Sequence, residues 1–276
     1  MIHDIDLDHV AVASERAGDA FPRYTGDLAG RWLGGGATVG YSSFQVEYAN
    51  GVRVEVLEPH LVEQNDFLRR FLDRNGPGPH HITYKVVDIL AALAEVEGAG
   101  YRPVNVDVSH PYWKEAFIHP KDGPGVLVQL AQAAGGGGDE WRSPVPDDLA
   151  RPRTDEPATL VHVGHAVRRL DDGLRLFRLL GGAETGAGEG EDHRWVDLGW
   201  PGSGVVRLLA PKGDGPIGEW VGEAAGRVHH LLFDTADPQR VGDAEPVGDG
   251  RYEIRPEVNL GTRLLLDEKI PVSAGR

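Results

Sequence analysis

A pattern of four hydrophobic segments occurs twice in this chain of 276 residues. The first copy reads LDHVAVAS over 7–14, VRVEVLEPH over 52–60, GPHHITYKV over 78–86 and GVLVQL over 125–130. The second reads LVHVGHAV over 160–167, VVRLLAP over 205–211, RVHHLLFD over 227–234 and GTRLLL over 261–266. Internal self-similarity of this kind constrains the fold before any single element does, because each copy specifies the same supersecondary unit. Corresponding positions of the copies differ in chemistry. His9, Glu55, His81 and Gln129 in the first match His162, Arg207, His230 and Leu265 in the second. The first four all carry atoms able to bind a cation, whereas arginine only donates and leucine has no polar atom. The first copy is therefore expected to hold a metal site. In the second, His162 and His230 are read as vestigial, and Arg207 as pairing with an anion or an acidic neighbour.

Side chains alternate across a strand, so Glu55 lies opposite Val54 and Val56, and Gln129 opposite Val128 and Leu130. Each strand then has one face in the core. If the strands curl, the other face becomes a concave pocket in which His9, Glu55, His81 and Gln129 converge. An isolated carboxylate between two valines is costly to bury unpaired, which favours a ligand role for Glu55. His80 is expected on the opposite face from His81. Residues 109–114, Ser-His-Pro-Tyr-Trp-Lys, form a loop read either as a cap on the pocket or as packing on its rim.

Residues 134–158 contain a run of glycines, several prolines and many charges, the signature of a linker. They divide the chain into a module at 1–133, with the expected metal site, and a degenerate module at 159–270. In the first module the pattern predicts strands at 9–12, 44–49, 52–57, 81–86, 116–119 and 126–130, with helices over 15–29, 66–74 and 89–99. Asn50-Gly51 between two apolar runs predicts a hairpin. In the second module a helix is expected over 171–180, and residues 237–250 carry Pro and Gly where another would fall. Trp195 and Trp200 are expected in the core or between the modules.

The net charge of −15 argues against a nucleic-acid groove, which needs a basic face. The chain has no cysteine, so disulfide and thiolate chemistry are excluded. The first residues, MIHDIDLDHV, read as neither signal peptide nor anchor, and no run approaches the ~20 apolar residues of a membrane helix. The expectation is a cytoplasmic protein with a small-molecule substrate, binding neither nucleic acid nor membrane, and present as a monomer or homodimer.

The segments VEVLEP, GPHHITYKVVDI and FIHPKDGPGVLVQL resemble the vicinal oxygen chelate superfamily of glyoxalases, methylmalonyl-CoA epimerases, extradiol dioxygenases and bleomycin-resistance proteins. The resemblance is strongest to the glyoxalase I and methylmalonyl-CoA epimerase branch, runs through nearly all of 1–133, and is weaker in the second module. It implies an α+β fold of tandem βαβββ units, four in the chain, forming two cupped mixed β-sheets with helices on the outer faces. It also implies one divalent metal ion (Zn, Co, Ni, Mn or Fe) on His9, Glu55, His81 and Gln129. In epimerases of this kind the second ligand is usually Gln and the last Glu, the reverse of Glu55 and Gln129 here. Gln129 cannot take a proton, so proton transfer is expected to fall to Glu55 or Glu47.

Three functions follow. The first is a metal-dependent epimerase, isomerase or glyoxalase-type lyase acting through a metal-stabilised enediolate, on an acyl-CoA, a keto-sugar or another substrate with vicinal oxygens. The second is an Fe(II) extradiol-type dioxygenase, since two imidazoles and a carboxylate are a common iron ligand set. The third is a binding or resistance protein without turnover.

Overall fold

The computed structural model describes residues 2, 4–133 and 145–269. Its first half contains β1 (Ile5–Ala13), β2 (Arg31–Thr38), β3 (Gly40–Glu47), β4 (Arg53–His60), helix α1 (Phe67–Asn75), β5 (Gly78–Val86), helix α2 (Ile89–Gly98), β6 (Pro103–Asp107), β7 (Trp113–Ile118) and β8 (Leu127–Ala133). The second half repeats the series as β9 (Thr159–Val167), α3 (Leu170–Leu179), β10 (Ala183–Glu189), β11 (His193–Gly199), β12 (Val205–Pro211), α4 (Pro216–Val221), β13 (Gly226–Thr235), β14 (Glu245–Gly248), β15 (Arg251–Ile254) and β16 (Leu264–Glu268).

Each half forms one eight-stranded mixed sheet. The first runs β2-β3-β4-β1-β5-β8-β7-β6 and the second β10-β11-β12-β9-β13-β16-β15-β14. The two orders are the same under a shift of eight strands, as the repeated sequence pattern requires. In each sheet the two central strands are antiparallel neighbours, and each is flanked outward by a parallel partner, as in β1 with β4 and β5 with β8. This is the βαβββ arrangement, used twice per sheet.

Alternation sorts the side chains of the first sheet. Val10, Val12, Val54, Val56, Ile82, Tyr84, Val128 and Leu130 face the core and are essentially inaccessible. Helix α2 buries Ile89, Ala92, Leu93 and Val96 against that face. Asp88 caps the helix by accepting from the backbone N–H of Leu90 and Ala91. The same apolar cluster continues into the second half through Leu176, Phe177, Leu231 and Phe233. Tyr48 meets Phe233 at 4.8 Å between ring centroids, and Tyr84 meets Trp200 at 4.9 Å. The two sheets thus share one core. Helix α1 packs on the other face of the first sheet, where Leu68 and Leu72 meet Ala11, Ala13 and Leu57. Helix α4 repeats this in the second, with Ile217 and Val221 against Ala166 and Leu209.

Several elements differ from the sequence expectation. Residues 15–29 are not one helix but a 3-10 turn at Ala17–Asp19 followed by a π-type turn at Pro22–Asp27. Pro22 lacks an amide donor, and the Thr25 hydroxyl donates back to the Phe21 carbonyl, so the α-helical ladder is broken. Strand β2, RWLGGGAT, has no counterpart in the sequence expectation and pairs along β3. A Cβ at Gly35 would lie 2.2 Å from the Ser43 carbonyl oxygen, so close pairing there requires glycine. Edge strand β6 was also not expected. Residues 134–144 of the expected linker lie outside the described residues. Its remainder has neither helix nor strand but is bonded to the first half. The Thr25 hydroxyl donates to the Ala150 carbonyl, Arg153 N–H to Gly26, and Ala158 N–H to Leu28. No helix among the described residues is long and apolar enough to cross a membrane.

Candidate metal centre

Four adjacent strands of the first sheet, in the order β4-β1-β5-β8, carry Glu55, His9, His81 and Gln129 on one face. Glu55 and His81 are two strand spacings apart, roughly 9–10 Å in a flat sheet. Their ligand atoms and that of His9 nevertheless all lie within 4.8 Å of one another. The sheet therefore curls, and this face is concave. Glu55 Oε2 lies 3.3 Å from His9 Nε2 and 3.7 Å from His81 Nε2. All three residues are buried. Among the described residues this is the one group of three or more His, Cys, Asp or Glu arranged to hold a metal ion.

Each of the three is fixed by a neighbour. His9 Nδ1–H donates to Asp8 Oδ2 at 2.7 Å. Gln45 Nε2 donates to Glu55 Oε1 at 3.0 Å from the opposed position on β3. His81 Nδ1 shares a 2.8 Å hydrogen bond with His80 Nδ1. Asp8 and His80 reach this face because β1 and β5 are bulged. The pairing passes from Leu7 to His9 and from Ala11/His81 to Val12/Pro79, leaving one extra residue at each place. His80 is thus not on the opposite face from His81. Its ring packs against Phe67 and Phe71 on the concave side.

Gln129 stands beside the triad. Its Oε1 accepts from the Thr83 hydroxyl at 2.6 Å, and its Nε2 donates to Glu115 Oε2 at 2.8 Å. The Thr83 oxygen also lies 2.8 Å from His9 Nε2 and accepts from it. Glu47 shares the face of Gln45 and Glu55, but it is bound by Arg31 and lies 3.6 Å from Arg53 Nε, away from the triad. The 109–114 loop leads into β7, where Trp113 Nε1 donates to Glu115 Oε2 at 2.9 Å, while Tyr112 is exposed.

The electrostatics describe a site arranged around positive charge. Burial pushes the Glu55 carboxyl up, but His9, His81 and the Gln45 hydrogen bond outweigh it and bring it down to about 2. Burial pushes His9 down, but Glu55 and Asp8 outweigh it and raise it to about 9. His9 is thus an imidazolium between two carboxylates. His81 is held well below the usual range, first by burial and then by His80, and stays neutral. Its Nε2 is buried without a hydrogen-bond partner. A buried imidazole nitrogen left unpaired is costly, and a cation between His9, Glu55 and His81 would satisfy it.

The matching positions of the second sheet make a different structure. Arg207 donates twice to Asp197, both at 2.7 Å, and lies 4.2 Å over the Trp195 ring. Arg263 donates to His229 Nε2 at 2.7 Å, and an arginine can only donate. His229 Nδ1–H must then donate to His230 Nδ1, and His230 Nε2–H to His162 Nε2 at 2.9 Å. A proton joins the two imidazoles where the first sheet gathers three ligands. Burial holds His162 and His230 well below the usual histidine range.

Sequence reasoning missed Asp8, Gln45, Thr83 and Glu115. Thr83 and Gln45 were accessible by alternation, two residues from His81 and opposite Glu55. In WKEAFI the alternation of Trp113, Glu115 and Phe117 with Ala116 and Ile118 marked a second polar position in the cup. Nothing in the pattern marked the bulges that turn Asp8 and His80 inward.

Residues 8–117 match the profile of the Glyoxalase/Bleomycin resistance protein/Dioxygenase superfamily. An ethylmalonyl-CoA/methylmalonyl-CoA epimerase from Cereibacter sphaeroides is 31% identical over 138 residues, covering 46% of this chain and 96% of that protein. Two solved structures share the fold across nearly the whole chain. A hypothetical protein from Staphylococcus aureus aligns with a TM-score of 0.61 at 12% identity, over 96% of this chain and 100% of the other. A mutant 4-hydroxymandelate synthase from Streptomyces coelicolor aligns with a TM-score of 0.64 at 13% identity, over 97% and 94%.

Proposed function

This chain belongs to the glyoxalase/bleomycin resistance/dioxygenase superfamily, and we propose that it is a metal-dependent epimerase or isomerase acting on an acyl thioester of the malonyl class. The observation that carries the metal is the buried, unpartnered His81 Nε2 facing Glu55 and His9. The substrate class rests on the likeness to the Cereibacter sphaeroides epimerase. The proposed ligands are His9, Glu55 and His81, with Gln129 beside them. A divalent ion there would polarise a carbonyl and stabilise the negative charge left when the neighbouring carbon loses its proton.

The chain's own residues prepare the site. Asp8, Gln45 and His80 hold the three ligands in fixed orientations, and a metal at His9 Nε2 would displace that nitrogen's proton and its bond to Thr83. If His81 Nε2 presents a lone pair, its Nδ1–H donates to His80, which fixes the tautomer. Phe67, Phe71, Leu57 and Tyr41 pack together at one end of the cup.

The test is deuterium incorporation at the α-carbon of methylmalonyl-CoA or ethylmalonyl-CoA in D2O, followed by mass spectrometry. Exchange is expected with added divalent metal and lost on chelation. Exchange that survives chelation contradicts the proposal. A dioxygenase reading is favoured by one feature, the two-histidine, one-carboxylate set itself. Oxygen uptake with the Fe(II)-loaded protein and a catechol would favour that reading over epimerisation.

A further inference from the structure

Proton removal in such a reaction needs a base beside the ligand triad, and a carboxylate free of neighbouring cations is the strongest acceptor. A carboxylate already paired with cations is a weak acceptor, because its charge is offset and its lone pairs are engaged. Three carboxylates at the cup are compromised in this way. Glu55 lies within the triad. Glu47 is held by Arg31 and Arg53. Asp8 is held by His9, Arg53 and Lys85.

Glu115 differs. It lies on β7, beyond β8, on the wall of the cup opposite β3. Ala116 and Ile118 are fully buried in the core, so alternation turns Glu115 and Phe117 into the concavity. Phe117 pairs with Gln129, and its ring lies 6.3 Å from that of His81. The hydrogen bonds described for Glu115 come from neutral donors, Gln129 Nε2 at 2.8 Å and Trp113 Nε1 at 2.9 Å, both to Oε2. Through Gln129 and Thr83 it is linked to His9 without entering the triad.

We propose that Glu115 is the base that takes the substrate's α-proton, an assignment that rests on the epimerase-type reading above. The C–H bond breaks, its electron pair forms the C=C bond of a thioester enolate, and the thioester carbonyl's π pair moves onto its oxygen. The proton passes to the Glu115 carboxylate. Protonated Glu115 exchanges with solvent and returns a hydron to the carbon, so nothing is oxidised or reduced. Tyr41, on the facing wall, supports the placement. Its hydroxyl acidity is suppressed by burial and then by the charges of both Glu55 and Glu115, so both carboxylates are within electrostatic reach of its side chain.

The experiment uses the full chain and the Glu115→Gln and Glu115→Asp variants. Metal content is read by elemental analysis. Binding of 2,2-dimethylmalonyl-CoA, which has no α-hydrogen, is read by calorimetry, and α-deuteration of methylmalonyl-CoA by mass spectrometry. Glu115→Gln is expected to keep the metal and the analogue and to lose exchange by about 100-fold or more. Glu115→Asp, which keeps a carboxylate, should retain more exchange than Glu115→Gln. Exchange in Glu115→Gln within about threefold of the unaltered chain overturns the assignment while leaving the reaction intact. Loss of metal or analogue in that variant also overturns it, because Glu115 would then support the site rather than accept the proton. Absence of exchange in the metal-loaded, unaltered chain defeats the reaction and the base together.

Discussion

Thr83 carries a single hydroxyl, fully buried, and it bonds both His9 and Gln129. That oxygen couples the imidazole of β1 to the carboxamide of β8. Metal binding at His9 Nε2 would replace its bond to Thr83, so Thr83→Val, which keeps the shape, is expected to leave metal affinity within about threefold or to raise it. Competition titration against a chelating dye would measure it, and a fall of about tenfold or more would contradict this. His81→Ala removes the nitrogen that lacks a partner, and metal and activity are expected to disappear together. In the second sheet Arg207→Ala leaves the half-buried Asp197 without its bidentate partner. That change is expected to cost about 1–3 kcal/mol of stability by urea denaturation, without altering metal content.

At the scale of elements, the repeat and the alternation of β1, β4, β5 and β8 were legible because strand periodicity needs only the residues themselves. The two bulges were not, since they depend on pairing between strands distant in sequence. The 15–29 segment departs from its expected helix for a related reason. Its apolar residues have helical spacing, but Pro22 and the back-bonded Thr25 prevent the regular ladder. The contact between halves was also hidden. A Cβ at Gly125 would meet the backbone of Gly226 at 2.1 Å, and Gly125 has φ +86. Gly125→Ala is expected to destabilise by more than about 1 kcal/mol, because both the contact and the left-handed backbone resist a side chain.

Beside that contact, His165 Nε2–H donates to the Pro124 carbonyl at 2.8 Å. Burial lowers His165 to about 4, the bond to Pro124 only partly opposing it. The unfolded chain, with a histidine near 6.5, binds its proton first as pH falls. Stability from this group is therefore level above about pH 6.5 and declines between there and about pH 4. His165→Gln keeps a donor and removes the titration, so its stability should depend less steeply on pH in that window. An equally steep profile by thermal denaturation would contradict this.

For the molecule as a whole, one core joins two sheets whose concave faces have diverged. Phe177 touches Tyr84 and Trp200 and is fully buried, so Phe177→Ala is expected to lower stability by about 3–5 kcal/mol. The repeat made this duplication readable, and the substitutions Glu55/Arg207 and Gln129/Leu265 made its asymmetry readable. The histidine chain that joins His162 to His230 in the second cup was visible only in three dimensions. The central claim is that the chain holds a metal in the first cup and not in the second. Its most direct test is elemental analysis of the full chain, His9→Ala and Arg207→Ala after loading with Co, Ni, Mn, Fe or Zn. The account predicts about one equivalent in the full chain and in Arg207→Ala, and close to none in His9→Ala. Metal retained by His9→Ala, or absent from all three proteins, would contradict it.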